Sequence, residues 1–187
     1  MNISEYKFQE YVGNILEHDK EYGGTKYVMH KRKLKLESDK EIIKSKLAIC
    51  YMIVVNDEIK KIGQTAGEGG LYSCMGFYGG AGMDDPSITR FGINLLMRKE
   101  MEKGNDVKIY FQYDLPHKHT FMGATGPVIK EVLMNAKDIE EDCLSHYVDV
   151  TGKYPEWNFQ EDGDKKSMPT WIKEAYAAYI GKRKGKK

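Results

Sequence analysis

The stretch KLAICYMIVVNDEIKKIGQT, residues 46–65, limits the fold more than any other part of the chain. Its first half is apolar and rich in β-branched residues, which suits an extended strand. The apolar residues are consecutive rather than alternate, so the strand is expected at the centre of a sheet, covered on both faces. Residues 56–58, NDE, form a turn, and IKKIGQT returns beside the first strand. Alternation along the returning strand puts Ile59 and Lys61 on one face and Lys60 and Ile62 on the other. One lysine must then point the same way as an apolar neighbour. Gly63 suits a close backbone approach or a strand end.

The flanking segments supply the remaining layers. Residues 3–20 read as an amphipathic helix capped by Ser4, with Tyr6, Phe8, Tyr11, Val12 and Leu16 on its apolar positions. A Gly-Gly turn and extended chain follow, then a helical turn at 40–46. AGEGGLYSCMGFYGGAGMDDPS, with its many glycines, reads as a long loop with one helical turn at LYSCM; loops of this length in compact domains tend to be functional. A helix over 86–103 is capped by Asp85, carries Pro86 in its first turn and ends at Gly104. DVKIYFQYDL is a further strand and PHKHTFMGATG a loop. PVIKEVLMNAKDIEEDCLSHYVDV is a second long helix opened by Pro127, and TWIKEAYAAYIGK is a last one. The order predicts an α/β (α+β) fold with a small three-stranded antiparallel sheet flanked by helices. It divides into an N-terminal helix and basic segment (1–46), a core (47–160) and a C-terminal helix with a basic tail (161–187), all in one compact domain.

Bulk properties exclude several classes. With 187 residues, 41% hydrophobic and 30% charged, the chain is long enough for one real core and reads as a soluble globular protein rather than a disordered one. No window approaches the roughly 18–20 apolar residues of a membrane span. The N-terminus lacks the basic and apolar regions of a signal peptide. Cys50, Cys74 and Cys143 have no metal-binding spacing and read as buried thiols of a reducing compartment. A cytoplasmic protein of a bacterium or a phage-infected host is expected. The net charge of +1 hides two basic clusters, HKRKLKLESDK at 30–40 and GKRKGKK at 181–187, which could grip a polyanion. GEGG and GGAG are followed by no GK[ST], so a P-loop is excluded.

The order of short motifs carries a resemblance. YMI at 51–53, KIG at 61–63, a helix, a strand, a helix containing DIEEDCL and finally PEWN together resemble the GIY-YIG nuclease superfamily over residues 48–159. The KIG form is similar to some type II restriction endonucleases and phage endonucleases. The resemblance implies a hairpin whose two strands carry catalytic groups, magnesium as cofactor and DNA as partner. A single site per chain would call for a dimer or higher oligomer to cut both strands.

Carried over residue by residue, Tyr51 takes the place of the GIY tyrosine and would hold or deprotonate the attacking water, helped by a neighbouring base. Lys61 replaces the YIG tyrosine and adds charge beside the phosphate. Glu140 matches the metal-binding glutamate. At 100° per residue, Val128, Val132, Ala136, Ile139 and Cys143 form a stripe with Glu140 at its edge and Glu141 further toward water. An edge carboxylate suits a magnesium ligand. Asn158 matches an asparagine that supports the glutamate or the phosphate, and Trp157 beside it belongs to the core. The expected arginine position, within AGEGGLYSCM, holds neither arginine nor lysine. Arg90 is the first candidate after it, with Arg98 behind. Arg90 lies nearly opposite the stripe of Ile88, Phe91, Gly92, Leu95 and Leu96. Lys31, Arg32, Lys33, Lys35, Gln64, Lys182 and Arg183 are candidate DNA contacts. His117 and His119 could bind a metal or shuttle a proton, or simply sit exposed on a loop. The runner-up function is a non-catalytic nucleic-acid-binding module on the same fold.

Overall fold

The computed structural model describes residues 1–6, 10–21, 30–34, 39–78, 86–159 and 168–184; the side chains of 10–21, 30–34, 77 and 182–184 lie outside that description. After a short 3-10 turn (Ile3–Glu5) the elements run β1 (Glu10–Glu21), β2 (His30–Leu34), α1 (Lys40–Lys44), β3 (Ala48–Val55), β4 (Glu58–Thr65), α2 (Gly70–Tyr78) and α3 (Ile88–Glu102). Then follow β5 (Val107–Asp114), β6 (His117–Gly123), β7 (Gly126–Val132), α4 (Ala136–Thr151) and α5 (Thr170–Lys184).

The α/β class and the antiparallel hairpin are as expected. The core trio β5-β3-β4 is antiparallel, and two more strands extend it to a five-stranded sheet in the order β2-β1-β5-β3-β4. Every residue of β3 is buried. Alternate residues of β3 enter different cores. Ile49, Tyr51, Ile53 and Val55 join α2, α3, α5, Trp157 and Phe159, whereas Ala48, Cys50, Met52 and Val54 join α4 and the N-terminal Ile3 and Tyr6. The molecule is thus layered, with α2, α3 and α5 on one face of the sheet and α4 on the other. No helix among the described residues is long and apolar enough to cross a membrane.

Several expectations need correction. The helix predicted over 3–20 is a single 3-10 turn followed by β1, which pairs antiparallel with β5. Local amphipathicity yields there to the free edge of β5, whose backbone groups need partners. The loop at 66–85 holds the nine-residue α2 rather than one turn. Ser87, not Asp85, caps α3 by accepting from Arg90 N–H; Asp85 lies outside the described residues. Every residue of α3 from Phe91 to Met97 is buried, so its buried face is wider than one stripe. PHKHTFMGATG is not a loop but β6 and its turn, and 127–132 are strand, not helix. The β-branched Val128, Ile129 and Val132 favour extended chain. The helix starts only at Ala136, where Asn135 caps it by accepting from Lys137 N–H at 3.1 Å. Val128 and Val132 therefore do not belong to the stripe of Glu140.

Candidate active site

The β3–β4 hairpin closes through Asn56 and Asp57, both left-handed, at φ 47° and 65°. Such a turn matches the twist of paired strands and fixes their register. Tyr51 lies opposite Gly63 and Ile53 opposite Lys61, but the next pair is Val54 with Ile59. Lys60 is the extra residue of a β-bulge. The bulge overturns simple alternation: Ile59 and Ile62 both pack toward α4, and Lys61 and Gly63 stand on the face of Tyr51. Lys60 is instead held by Glu58 and Glu156, at 3.0 and 2.9 Å. Lys61 is 7% exposed, a buried cation on the tyrosine side of the hairpin.

Gly63 is required by Tyr51. A Cβ there would lie 2.5 Å from the Tyr51 hydroxyl and 2.6 Å from its ring carbon Cζ. Gly63→Ala is expected to cost about 1–3 kcal/mol of stability by overpacking, read as a lower urea midpoint. A variant as stable as wild type would show that the ring is free to move aside.

The Tyr51 hydroxyl is 2.9 Å from that of Tyr78, the last residue of α2. Asn94, buried on α3, donates to the Tyr78 carbonyl at 2.6 Å and so fixes the end of α2. Burial, followed by the neighbouring Tyr78 and Cys74, holds the Tyr51 phenol well above its usual range. The Tyr78 phenol is raised as well, chiefly by burial. Cys74, one turn before Tyr78, is raised by burial, against the lowering influence of the nearby Tyr51 hydroxyl and the Lys61 and Arg90 charges. Both hydroxyls are therefore neutral at ordinary pH and act as hydrogen-bonding groups.

Three charged side chains lie within electrostatic range of parts of this cluster. Arg90 and Glu140 both act on Cys74 and on Tyr78, with opposite signs, and Lys61 acts on Cys74. Glu140 also acts on Cys50, on the other face of β3, which places its carboxylate within electrostatic range of both faces. Glu140 is half-buried, whereas Glu141 is exposed and pairs with Lys137 at 3.2 Å. Arg90 is exposed in the first turn of α3, as its helical phase implied, yet the C-terminal half of α2 brings the tyrosine cluster into its field. Arg98 pairs with Glu102 at 2.6 Å.

Asn158 is bound to the backbone of β4. Its Oδ1 accepts from Ile62 N–H at 2.9 Å and its Nδ2 donates to the Ile62 carbonyl at 2.8 Å. Trp157 N–H adds a bond to the Lys60 carbonyl at 2.8 Å. The PEWN segment thus pairs with the open edge of β4 and clamps the bulge that aims Lys61. Trp157 is fully buried, as expected.

The candidate DNA contacts are not gathered at this cluster. Lys31, Arg32 and Lys33 belong to β2, at the opposite edge of the sheet from β4, four strand spacings or roughly 19 Å away. Lys35 lies outside the described residues, and Lys182 and Arg183 belong to α5 with their side chains outside the description. Gln64 is exposed near the end of β4. His117 and His119 lie exposed on one face of β6, where His119 stacks on Phe121. A cleft of about 390 Å³ lined by Glu58, Tyr147, Tyr154 and Glu156 includes only Asn158 of the predicted site residues. Sequence reasoning missed Tyr78, Cys74 and Asn94. The i,i+4 spacing of Cys74 and Tyr78 would have placed both on one face had LYSCMGFY been read as a helix.

Among the described residues no three His, Cys, Asp or Glu side chains form a metal cage. A lone edge carboxylate does fit magnesium, which commonly takes one or two carboxylates, with waters and substrate phosphates completing its shell. It does not fit a structural zinc site.

No family model matches the chain, and no curated protein matches it in sequence. Among solved structures, the chain is similar to a point mutant of bacteriophage T4 EndoII, with a TM-score of 0.49, 17% identity, and 83% of this chain and 93% of that one covered. It is also similar to the restriction endonuclease HPY188I in complex with product DNA, with a TM-score of 0.45, 13% identity, and 86% and 87% covered.

Proposed function

We propose that the chain is a magnesium-dependent endonuclease, of restriction or phage type, that hydrolyses DNA phosphodiester bonds. The observation that supports this most is the hydrogen-bonded Tyr51–Tyr78 pair on the sheet face that also carries the buried Lys61, within electrostatic range of Arg90 and Glu140. A phosphodiester needs a positioned nucleophile and positive charge around its oxygens, and this set supplies both.

Each residue then has a role. Tyr51, held by Tyr78 and seated on Gly63, orients the attacking water through its hydroxyl oxygen. Because the phenol is neutral, it positions the water by hydrogen bonding rather than acting as a standing phenolate. Lys61 and Arg90 hold the phosphate oxygens. Glu140 is the residue that would hold magnesium, which when bound neutralises phosphate charge and stabilises the leaving oxygen. Asn158 positions Lys61 through the backbone of Ile62. The basic segments of β2 and α5 would meet the DNA backbone and make binding salt-dependent.

The alternative, a nucleic-acid-binding module without catalysis, draws on the deep burial of Tyr51, only 2% exposed. Incubation with supercoiled plasmid, in magnesium and in EDTA, separates the two: nicked or linear product only in magnesium supports the enzyme. Arg90→Ala is expected to slow cleavage by about 10²–10³-fold. Arg98→Ala, which removes a helix-surface pair, should cost far less. Equal rates in both variants would remove Arg90 from the site, and an inert wild type would leave the binding module as the reading.

A further inference from the structure

The β6–β7 ribbon stands apart from the layers described above. Its strands form a separate sheet, joined in register from His117–Val132 to Gly123–Gly126. No residue from His117 to Val132 is buried. An isolated two-stranded ribbon is marginally stable in water on its own. Its outer half nevertheless carries large apolar side chains, with Met122 76% and Ile129 66% exposed. Residues 120–129 contain no ionisable side chain at all. A tip without lysine or arginine is poorly suited to a phosphate backbone, whose recognition is dominated by cationic contacts. It is well suited to an apolar partner.

We propose that the ribbon docks on the same ribbon of a second copy of this chain, through the face bearing Met122, Pro127 and Ile129. The register decides the face. Cross-strand partners share a side, so Met122 and Pro127, Thr120 and Ile129, and Lys118 and Glu131 lie together. That face is the more exposed one: Phe121 and Val128, on the other, are 44% and 38% exposed. It is also self-complementary in charge. With the two-fold axis running along the ribbon, β6 lies over the β7 of the second copy, so Lys118 faces the partner's Glu131 and the reverse. The other face carries Lys130 with His117 and His119 and no carboxylate, so two copies of it would bring like groups together.

The exposed apolar surface is a sizeable part of what a dimer needs. With Leu115 and Met134 exposed at the foot of the ribbon, the apolar surface available is on the order of several hundred Å², approaching the roughly 800 Å² per partner of a stable interface. The proposal does not depend on the nuclease reading, because self-association can be measured without DNA.

Sedimentation velocity of the full chain over a range of concentrations is the test. The wild type is expected to sediment as a dimer. Ile129→Glu should raise the dissociation constant at least about 30-fold, the effect of losing a central anchor, with an unchanged circular dichroism spectrum because the side chain is exposed. Lys130→Glu, on the other face, should leave association intact. Lys118→Glu should weaken it, and the double variant Lys118→Glu with Glu131→Lys should restore it. A wild type that stays monomeric at its highest soluble concentration would overturn the proposal. So would a dimer indifferent to Ile129→Glu, or one as sensitive to Lys130→Glu. If Ile129→Glu leaves the dimer intact and instead weakens binding to duplex DNA, the ribbon is a DNA contact and the second copy is not its occupant.

Discussion

Glu140→Gln is expected to abolish magnesium-dependent cleavage of supercoiled plasmid while leaving fold and duplex binding near wild type. The substitution keeps the shape of a half-buried side chain at the edge of α4 and removes only its charge. On the nuclease reading that charge holds the metal, and its loss should cost several kcal/mol, about 10³-fold or more in rate. Initial nicking rates give the effect on chemistry, and fluorescence anisotropy with labelled duplex gives binding. Glu141→Gln serves as comparison. Glu141 is exposed and paired with Lys137, so that variant should cut normally. Two glutamine variants that both cut at the wild-type rate would withdraw Glu140 from the site.

Tyr51→Phe is expected to lose at least about 10²-fold in cleavage rate, since the ring still packs on Gly63 but the hydroxyl that orients water is gone. The loss of the bond to Tyr78 should cost about 1 kcal/mol of stability. The same variant has an alkaline signature. Burial, first among the causes, raises the folded-state pKa of Tyr51 above the unfolded value near 10. The folded chain keeps a proton that the unfolded chain releases, so stability is full below about pH 10 and falls as pH rises above it. Without the phenol that alkaline fall should be shallower, measured as urea midpoints at about pH 8 and about pH 11. A variant that cuts at the wild-type rate but is less stable would make Tyr51 a packing residue.

Much of the central architecture could be read locally. The consecutive apolar residues of Ala48–Val55 demanded burial on both faces, and β3 has it. The turn chemistry of Asn56-Asp57, the alternation of Val107–Asp114 and the helical periods in α3 and α5 also survive in the structure. The phase of Glu140 against Glu141 was legible too, because Ile139 and Cys143 set the buried side of α4 without help from Val128 or Val132.

Where reading failed, a distant partner outweighed local preference. Residues 10–21 have helical amphipathicity, yet they are a strand because β5, about a hundred residues later, offers an edge. Residues 127–132 repeat at helical spacing with the segment after them, yet their register with 117–123 makes them half of a ribbon.

The candidate site divides in the same way. The chain by itself determined the hairpin, the residue types on it and the carboxylate at the helix edge, because turn residues, strand propensity and helical period act over a few neighbours. Only the tertiary structure decided which lysine joins Tyr51. That choice rests on a bulge at Lys60, held by Asn158 and Trp157 nearly a hundred residues away. It also decided that Tyr78, set by Asn94, is the partner of Tyr51, and that Arg90, facing away from its own helix's stripe, shares a field with Glu140. Those arrangements depend on backbone edges and buried polar groups finding partners across the fold, which no local pattern in the chain encodes.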